Sequence, residues 1–178
     1  MPLLLRTALV TISFSMPLVA FAQGAPHMDV SGAYALSADR EIDEKLEGWV
    51  VSSTGYVTPI FGITGEIGGH YKSLPVLGTR LRFSDLSFMA GPRVAAWTSN
   101  RVSLFGQILL GGTRRSVGIL DQSDFRTHLA LQLGGGADLW ISRRFGTRIG
   151  ADYRHLPAEQ APSGQFRVHV GAVVAGGR

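Results

Sequence analysis

A two-residue rhythm runs through this chain for longer than a soluble strand would sustain it. From Phe125 to Ile141 the odd positions read Phe, Thr, Leu, Leu, Leu, Gly, Ala, Leu, Ile. The even positions carry Arg126, His128, Ala130, Gln132, Gly134, Gly136, Asp138 and Trp140. Side chains alternate across a strand, so this segment has one oily face and one polar or small face. It is 17 residues long, against ~5–6 for strands of soluble sheets.

Other segments repeat the pattern. Phe166, Val168, Val170, Ala172 and Val174 oppose Arg167, His169 and Gly171, while Phe145, Ile149 and Tyr153 oppose Arg148, Asp152 and Arg154. Leu86, Phe88, Ala90 and Val94 oppose Ser87, Met89 and Arg93, and Phe61, Ile63 and Ile67 oppose Thr64 and Glu66. Residues 101–115 alternate less cleanly, with Phe105 and Leu109 on the face that also carries Ser103 and Gln107. Eight strands are predicted, over about 29–37, 47–57, 60–71, 81–97, 101–115, 125–141, 145–157 and 165–175. Connectors 58–59, 98–100 and 142–144 are tight, and 38–46, 72–80, 116–124 and 158–164 are longer and polar.

The composition of the polar face decides which side is inside. It mixes Arg93, Arg126, Arg148, Arg154, Arg167, Glu66, Asp138 and Asp152 with many glycines. A solvated face would use Lys and Glu freely and avoid Gly in strand interiors. A narrow lumen needs a few long charged side chains that satisfy each other, with Gly or Ala opposite them for room. Of 17 basic residues only Lys45 and Lys72 are lysine, and the fork of arginine can bond several oxygens at once. The oily face then points to lipid, and closure removes the sheet edges that a bilayer does not tolerate. The fold class is all-β, an eight-stranded antiparallel up-and-down transmembrane β-barrel. A soluble secreted β-barrel binding module is the competing reading.

The start of the chain reads as an export signal. Met1 to Ala22 has Arg6 near its start, an apolar stretch from Ala8, and Ala20-Phe21-Ala22 at its end. Small residues at the last and third-last positions predict cleavage after Ala22. The alternative is an uncleaved membrane helix, but Thr11, Ser13, Ser15 and Pro17 interrupt the run. The domains are then a signal peptide over 1–22 and a barrel over 23–178. The basic residues are scattered singly and form no basic run, so the net charge of +4 does not point to nucleic acid. With no cysteine in the chain, disulfides and thiolate metal sites are excluded.

Six short stretches carry a resemblance. They are Asp29-Val30-Ser31-Gly32, Gly69-His70-Tyr71, Phe88 to Arg93, Phe105-Gly106-Gln107 with Gly111-Gly112, Gly134 to Asp138, and Asp152-Tyr153. In this order and spacing the chain resembles the small eight-stranded outer-membrane barrels of the OmpA/OmpX type, over nearly all of residues 28–175. The resemblance implies export through the periplasm to the bacterial outer membrane and insertion by the barrel-assembly machinery. It also implies contact with outer-membrane lipids and lipopolysaccharide, and a monomer. Members of that family usually end on an aromatic residue, whereas this chain ends Ala175-Gly176-Gly177-Arg178. Either the assembly signal lies upstream, through Phe166 to Val174, or the C-terminus is atypical.

An eight-stranded barrel leaves an interior just wide enough for side chains. The lumen charges therefore read as a plug, in which Glu66, Asp138 and Asp152 pair with Arg93, Arg148, Arg154 and Arg167. Which pairs form depends on strand shear, which the sequence does not show. A lipid-modifying enzyme is the alternative function. Its candidates are His128, His169, Ser87, Ser103, Glu66 and Asp138, but no compact nucleophile, base and acid constellation appears on the lipid face. No metal or cofactor is expected, because the five histidines are dispersed. His27-Met28-Asp29 reads as a flexible lead-in. The loop Asp39 to Lys45 is acidic, and Arg114 and Arg115 sit where lipopolysaccharide phosphates would be. Arg143 and Arg144 fall at a periplasmic turn. Trp49, Tyr71 and Tyr153 suit an interfacial girdle, while Trp97 and Trp140 fall in the inner register.

Overall fold

The computed structural model describes residues 26–39, 45–76, 79–99, 101–119, 122–156 and 163–176. The signal segment with its cleavage site, and residues 40–44 of the acidic loop, lie outside the described residues. Eight strands follow in chain order: β1 Met28–Asp39, β2 Lys45–Tyr56, β3 Phe61–Val76, β4 Thr79–Ser99, β5 Val102–Ile119, β6 Gln122–Trp140, β7 Phe145–Leu156 and β8 Ser163–Gly176. Each pairs antiparallel with its chain neighbour, and β1 pairs with β8 from Met28↔Gly176 to Asp39↔Gln165, which closes the barrel.

The alternation sorts outward and inward residues as a lipid-spanning barrel requires. Phe88, Val94, Leu104, Ile108, Leu129, Leu133, Ile149, Phe166 and Val170 are all exposed on the outer wall. The inward set is polar, with Glu66, Arg93, Asp138, Arg148, Asp152, Arg154 and Arg167 all buried. The irregular strand β5 obeys the same rule. Phe105 and Leu109 are inward along with Ser103 and Gln107, and all four are buried. Their apolar character serves the lumen, where Leu109 packs with Met89 and Ala130.

The short connectors at the end where β1 begins and β8 finishes share one construction. Thr58 Oγ1 accepts the Phe61 N–H at 3.0 Å, Ser99 Oγ accepts that of Val102 at 3.1 Å, and Ser142 Oγ accepts that of Phe145 at 3.1 Å. A hydroxyl three residues before the next strand thus satisfies its first donor.

Three expectations need correction. Residues 72–80 and 116–124 are mostly strand. The β3–β4 ladder continues to Val76↔Thr79 and the β5–β6 ladder to Ile119↔Gln122. β4 reaches 21 residues, where a spanning strand needs only ~9–11. Beyond the bilayer a hairpin no longer needs an oily face, so composition turns polar while the hydrogen-bond ladder persists. Met28 and Asp29 are not a lead-in, since both belong to β1 and Asp29 is buried. The tight connector over 98–100 is also partly strand, because β4 runs to Ser99.

Glycine shapes both faces. A Cβ on Gly134 would collide with the Asp152 carboxylate, and one on Gly150 with the His169 ring. A Cβ on Gly136 would lie 2.9 Å from the Phe105 ring, and one on Gly68 would lie 3.3 Å from an Arg167 nitrogen. Outside, the Trp49 ring lies across Gly69 and the Tyr153 ring across Gly164, as aromatics do that cover bare backbone in a sheet. Gly65 and Gly106 face open space. Gly134→Val should therefore cost about 1–3 kcal/mol by overpacking, read as a lower urea midpoint of the heat-modifiable folded band. Gly106→Ala should stay within about 0.5 kcal/mol of the parent.

The charged lumen as candidate functional site

The lumen is filled in layers. At the end where β1 begins and β8 finishes, Trp97 stacks on Trp140 with ring centroids 5.9 Å apart, and Trp140 packs with Val173 and Ala175. The Trp140 indole N–H donates to Ser103 Oγ at 3.1 Å. The inner register of β4, β6 and β8 ends in these apolar side chains, and they form a floor.

Above the floor lies a first charged layer centred on Arg148. Its Nε and one terminal nitrogen donate to both oxygens of Asp138, at 2.7 and 3.0 Å. The same terminal nitrogen reaches Asp29 Oδ1 at 3.0 Å, and the other donates to Ser31 Oγ at 3.0 Å and Ser52 Oγ at 3.3 Å. The Tyr56 hydroxyl donates to the second oxygen of Asp29 at 2.8 Å. Arg93 reaches Thr54 Oγ1 at 3.2 Å and stands 3.7 Å from Asp138. Its guanidinium lies 3.7 Å from the Phe105 ring centre, and that of Arg148 lies 4.9 Å away. One aromatic ring thus serves two cations.

A second charged layer is centred on Arg167. It donates to Glu66 at 2.6 Å and to Asp152 at 2.7 and 3.1 Å. His169 Nδ1 approaches the same Asp152 oxygen at 3.2 Å. The Gln132 amide donates to Glu66 at 3.1 Å, and its carbonyl oxygen accepts two bonds from Arg154 at 3.0 and 3.2 Å. Arg154 also donates to Ser87 Oγ at 3.2 Å and Gln165 Oε1 at 3.4 Å. Toward the far end, Ser37 Oγ lies 2.7 Å from His70 Nε2.

Within the two layers four arginines meet four carboxylates. Arg93 and Arg148 face Asp29 and Asp138, Arg167 faces Glu66 and Asp152, and Arg154 lies in the field of Asp85 first and then of Glu66 and Asp152. An ion out of water costs several kcal/mol unless it is paired and its remaining hydrogen-bonding groups are satisfied. The bidentate Arg148–Asp138 contact meets that cost well.

The eight residues singled out in the sequence occupy three situations. Glu66, Asp152, Arg167 and Arg154 belong to the upper layer, and Arg93, Asp138 and Arg148 to the lower one. Arg126 lies in β6 opposite Arg115, with its side chain outside the described residues. Sequence reasoning missed Asp29, Tyr56, Gln132, Phe105 and the hydroxyls Ser31, Ser52 and Thr54. Asp29 could have been found, because it continues the small polar register of Ser31 and Ser37.

The residues weighed for catalysis do not assemble. Ser87 donates to the Gly68 carbonyl and accepts from Arg154, Ser103 accepts from Trp140, and His169 stands beside Asp152. The Ser37–His70 pair is sealed, with each residue no more than 2% exposed. Among the described residues no group of three or more His, Asp or Glu is placed to hold a metal.

Removing one partner of such a pair leaves the others charged and buried, at a cost of about 3–5 kcal/mol. Arg148→Met is expected to destabilise the folded band by that amount, read as a lower urea midpoint, because Asp29 and Asp138 lose their common partner. Asp29→Asn should cost less, since Arg148 keeps Asp138.

The chain matches the family described as outer membrane protein beta-barrel domain over residues 7–173. No curated protein sequence matches it. Among solved structures it is similar to Neisserial surface protein A, at 13% identity and a TM-score of 0.65, with 84% of this chain and 96% of that one covered. It is also similar to OprG from Pseudomonas aeruginosa, at 8% identity and a TM-score of 0.56, with 87% and 98% covered. A third is Ail, the attachment invasion locus protein of Yersinia pestis, at 17% identity and a TM-score of 0.52, with 82% and 95% covered. At these identities the likeness is one of fold. The family match spans most of the chain and agrees with the closed eight-stranded barrel, its oily outer wall and its charged lumen, so the chain belongs to the outer membrane protein beta-barrel family and resides in the bacterial outer membrane.

Proposed function

We propose that the protein is a monomeric, non-catalytic structural and interaction barrel whose lumen is closed to ions. Two neutral charged layers stacked over the Trp97–Trp140 floor carry this reading. A continuous water path would have to break Arg148 from Asp29 and Asp138, and Arg167 from Glu66 and Asp152. An eight-stranded barrel offers no spare width to route around them.

Several features support the rest of the reading. The start of β1 and the end of β8 share the end with the three short turns, which in such barrels faces the periplasm, so the tall β3–β4 and β5–β6 hairpins project outward from the cell. The Ala20-Phe21-Ala22 segment supports export by a cleaved signal and delivery to the barrel-assembly machinery. Arg114, exposed on β5 toward the outer end, suits the phosphates of lipopolysaccharide. The hydroxyls and imidazoles of the lumen serve as hydrogen-bond partners of the network and lie away from lipid, which argues against lipid-modifying chemistry.

Planar-bilayer recording of the refolded protein should show no conductance steps. Discrete steps in a preparation whose gel migration is fully heat-modifiable would overturn the closed lumen. Mass spectrometry of lipopolysaccharide and phospholipid incubated with the same preparation should show no deacylated product, and such a product would overturn the non-catalytic reading.

A further inference from the structure

The charge left outside the balanced lumen is unevenly placed. At the end with the short turns, Arg101, Arg143 and Arg144 are all exposed. No turn residue among 57–60, 99, 101 and 141–144 is acidic. The carboxylates toward this end, Asp29 and Asp138, are buried in the lumen and held by Arg148.

The fold brings the three arginines together. The Trp140 N–H donates to the Arg101 carbonyl at 2.7 Å, which sets the β4–β5 turn against the end of β6. Arg143 lies three residues beyond Trp140, so the backbones are within about 10 Å. That is close to the Debye length at physiological ionic strength, and the charges reinforce one another. The Ala175 N–H donates to the Arg144 carbonyl at 2.8 Å, which fixes the second turn against β8. This is a held surface and not a trailing tail.

Its height selects the partner. Ile141 and Phe145 bracket Ser142-Arg143-Arg144 and are 82% and 59% exposed. They extend the outer wall of Leu139 and Ile149 toward this end. A second turn adds Val57 and Ile60, also exposed. Apolar side chains this open are stable where hydrocarbon covers them. Arg143 follows Ile141 by two residues, so its backbone rises no more than about 7 Å past it. The guanidiniums therefore stand where hydrocarbon gives way to headgroups, the position that suits a long cationic side chain with an apolar stem. Arms this short do not reach into the periplasm.

We propose that Arg101, Arg143 and Arg144 form a binding surface for the phosphodiester headgroups of anionic phospholipids in the inner leaflet of the outer membrane. The proposal rests on the reading that the short turns face the periplasm. Guanidinium and phosphate match in charge and in fork geometry. Each basic residue near an anionic lipid surface strengthens binding by roughly fivefold.

The test uses the full barrel refolded in mixed micelles of phosphatidylglycerol and phosphatidylcholine, with retained lipids counted by native mass spectrometry. The parent should retain phosphatidylglycerol in preference. The R101Q/R143Q/R144Q variant should lose at least tenfold of that preference while keeping heat-modifiable migration, and raised salt should weaken the parent toward the variant. Equal retention of the two lipids by the parent, or an undiminished preference in the variant, would overturn the proposal. So would pull-down by purified peptidoglycan that the three substitutions abolish while lipid preference stays intact. Orientation is tested separately. The chain has no cysteine, so R143C introduces a unique thiol. An impermeant maleimide should label it only after the outer membrane is permeabilised. Labelling of intact cells would show that the assumed orientation is wrong, independently of the lipid measurement.

Discussion

A charge inside this barrel has no bulk water to screen it and a wall of apolar side chains at its back, so it must be matched by another charge within reach. Much of the interior follows from that requirement. It accounts for arginine in place of lysine, because one guanidinium can serve two carboxylates and several hydroxyls at once, as Arg148 does with Asp138, Asp29, Ser31 and Ser52. It also accounts for the glycines. A lumen of fixed width holds an Asp152 carboxylate or a His169 ring only if the neighbouring strand contributes no side chain at that point, and Gly134 and Gly150 stand there.

The same matching ties distant strands together. Arg148 on β7 bonds residues of β1, β2 and β6, and Arg167 on β8 bonds residues of β3 and β7. Asp29 and Arg148 are far apart in the chain and meet across the closing region, where β1 runs beside β8 and β8 beside β7. The contacts of Arg148 with β1 and β2 and of Arg167 with β3 form only once the sheet has curled shut, since loop closure must precede non-local pairing; those with Asp138 and Asp152 already lie within hairpins. An open sheet would leave buried-to-be charges facing either water or lipid. The closed form is the one in which every guanidinium of the two layers faces a carboxylate or a neutral oxygen.

The sequence shows the wall of this barrel better than its contents. Alternation alone separates Leu133 from Gln132 and Ile149 from Arg148, because a slip of one residue would send every charge into lipid. Some of the network was legible too. Asp138 and Arg148 stand five residues either side of Arg143, and a hairpin turning there sets them opposite each other, as the register shows. The Arg167–Glu66 contact crosses the lumen between β8 and β3. It depends on the shear of the whole sheet, which no local pattern encodes. The tall hairpins were hidden for another reason. Lys72, Ser73 and Arg80 look like loop by polarity, yet they are paired strand. Polarity reports whether lipid covers a residue, and above the bilayer it stops reporting secondary structure.

Balance inside the lumen also changes what the net charge means. The eight charges of the two layers sum to zero, so the net positive charge of the chain belongs to residues outside them, and the exposed part of it lies at the rims. Polar groups at the rims meet headgroups of fixed chemistry, and the sign of a rim is therefore a statement about the leaflet beside it. On the short-turn side that sign is positive, with Arg101, Arg143 and Arg144 exposed beside Ile141 and Phe145. A barrel whose interior cancels itself can hold such a rim without disturbing its core. A substitution at Arg143 removes no partner from either layer, whereas a substitution at Arg148 leaves two carboxylates buried and without their common cation. The interior therefore constrains stability, and the rims remain open to be shaped by the membrane.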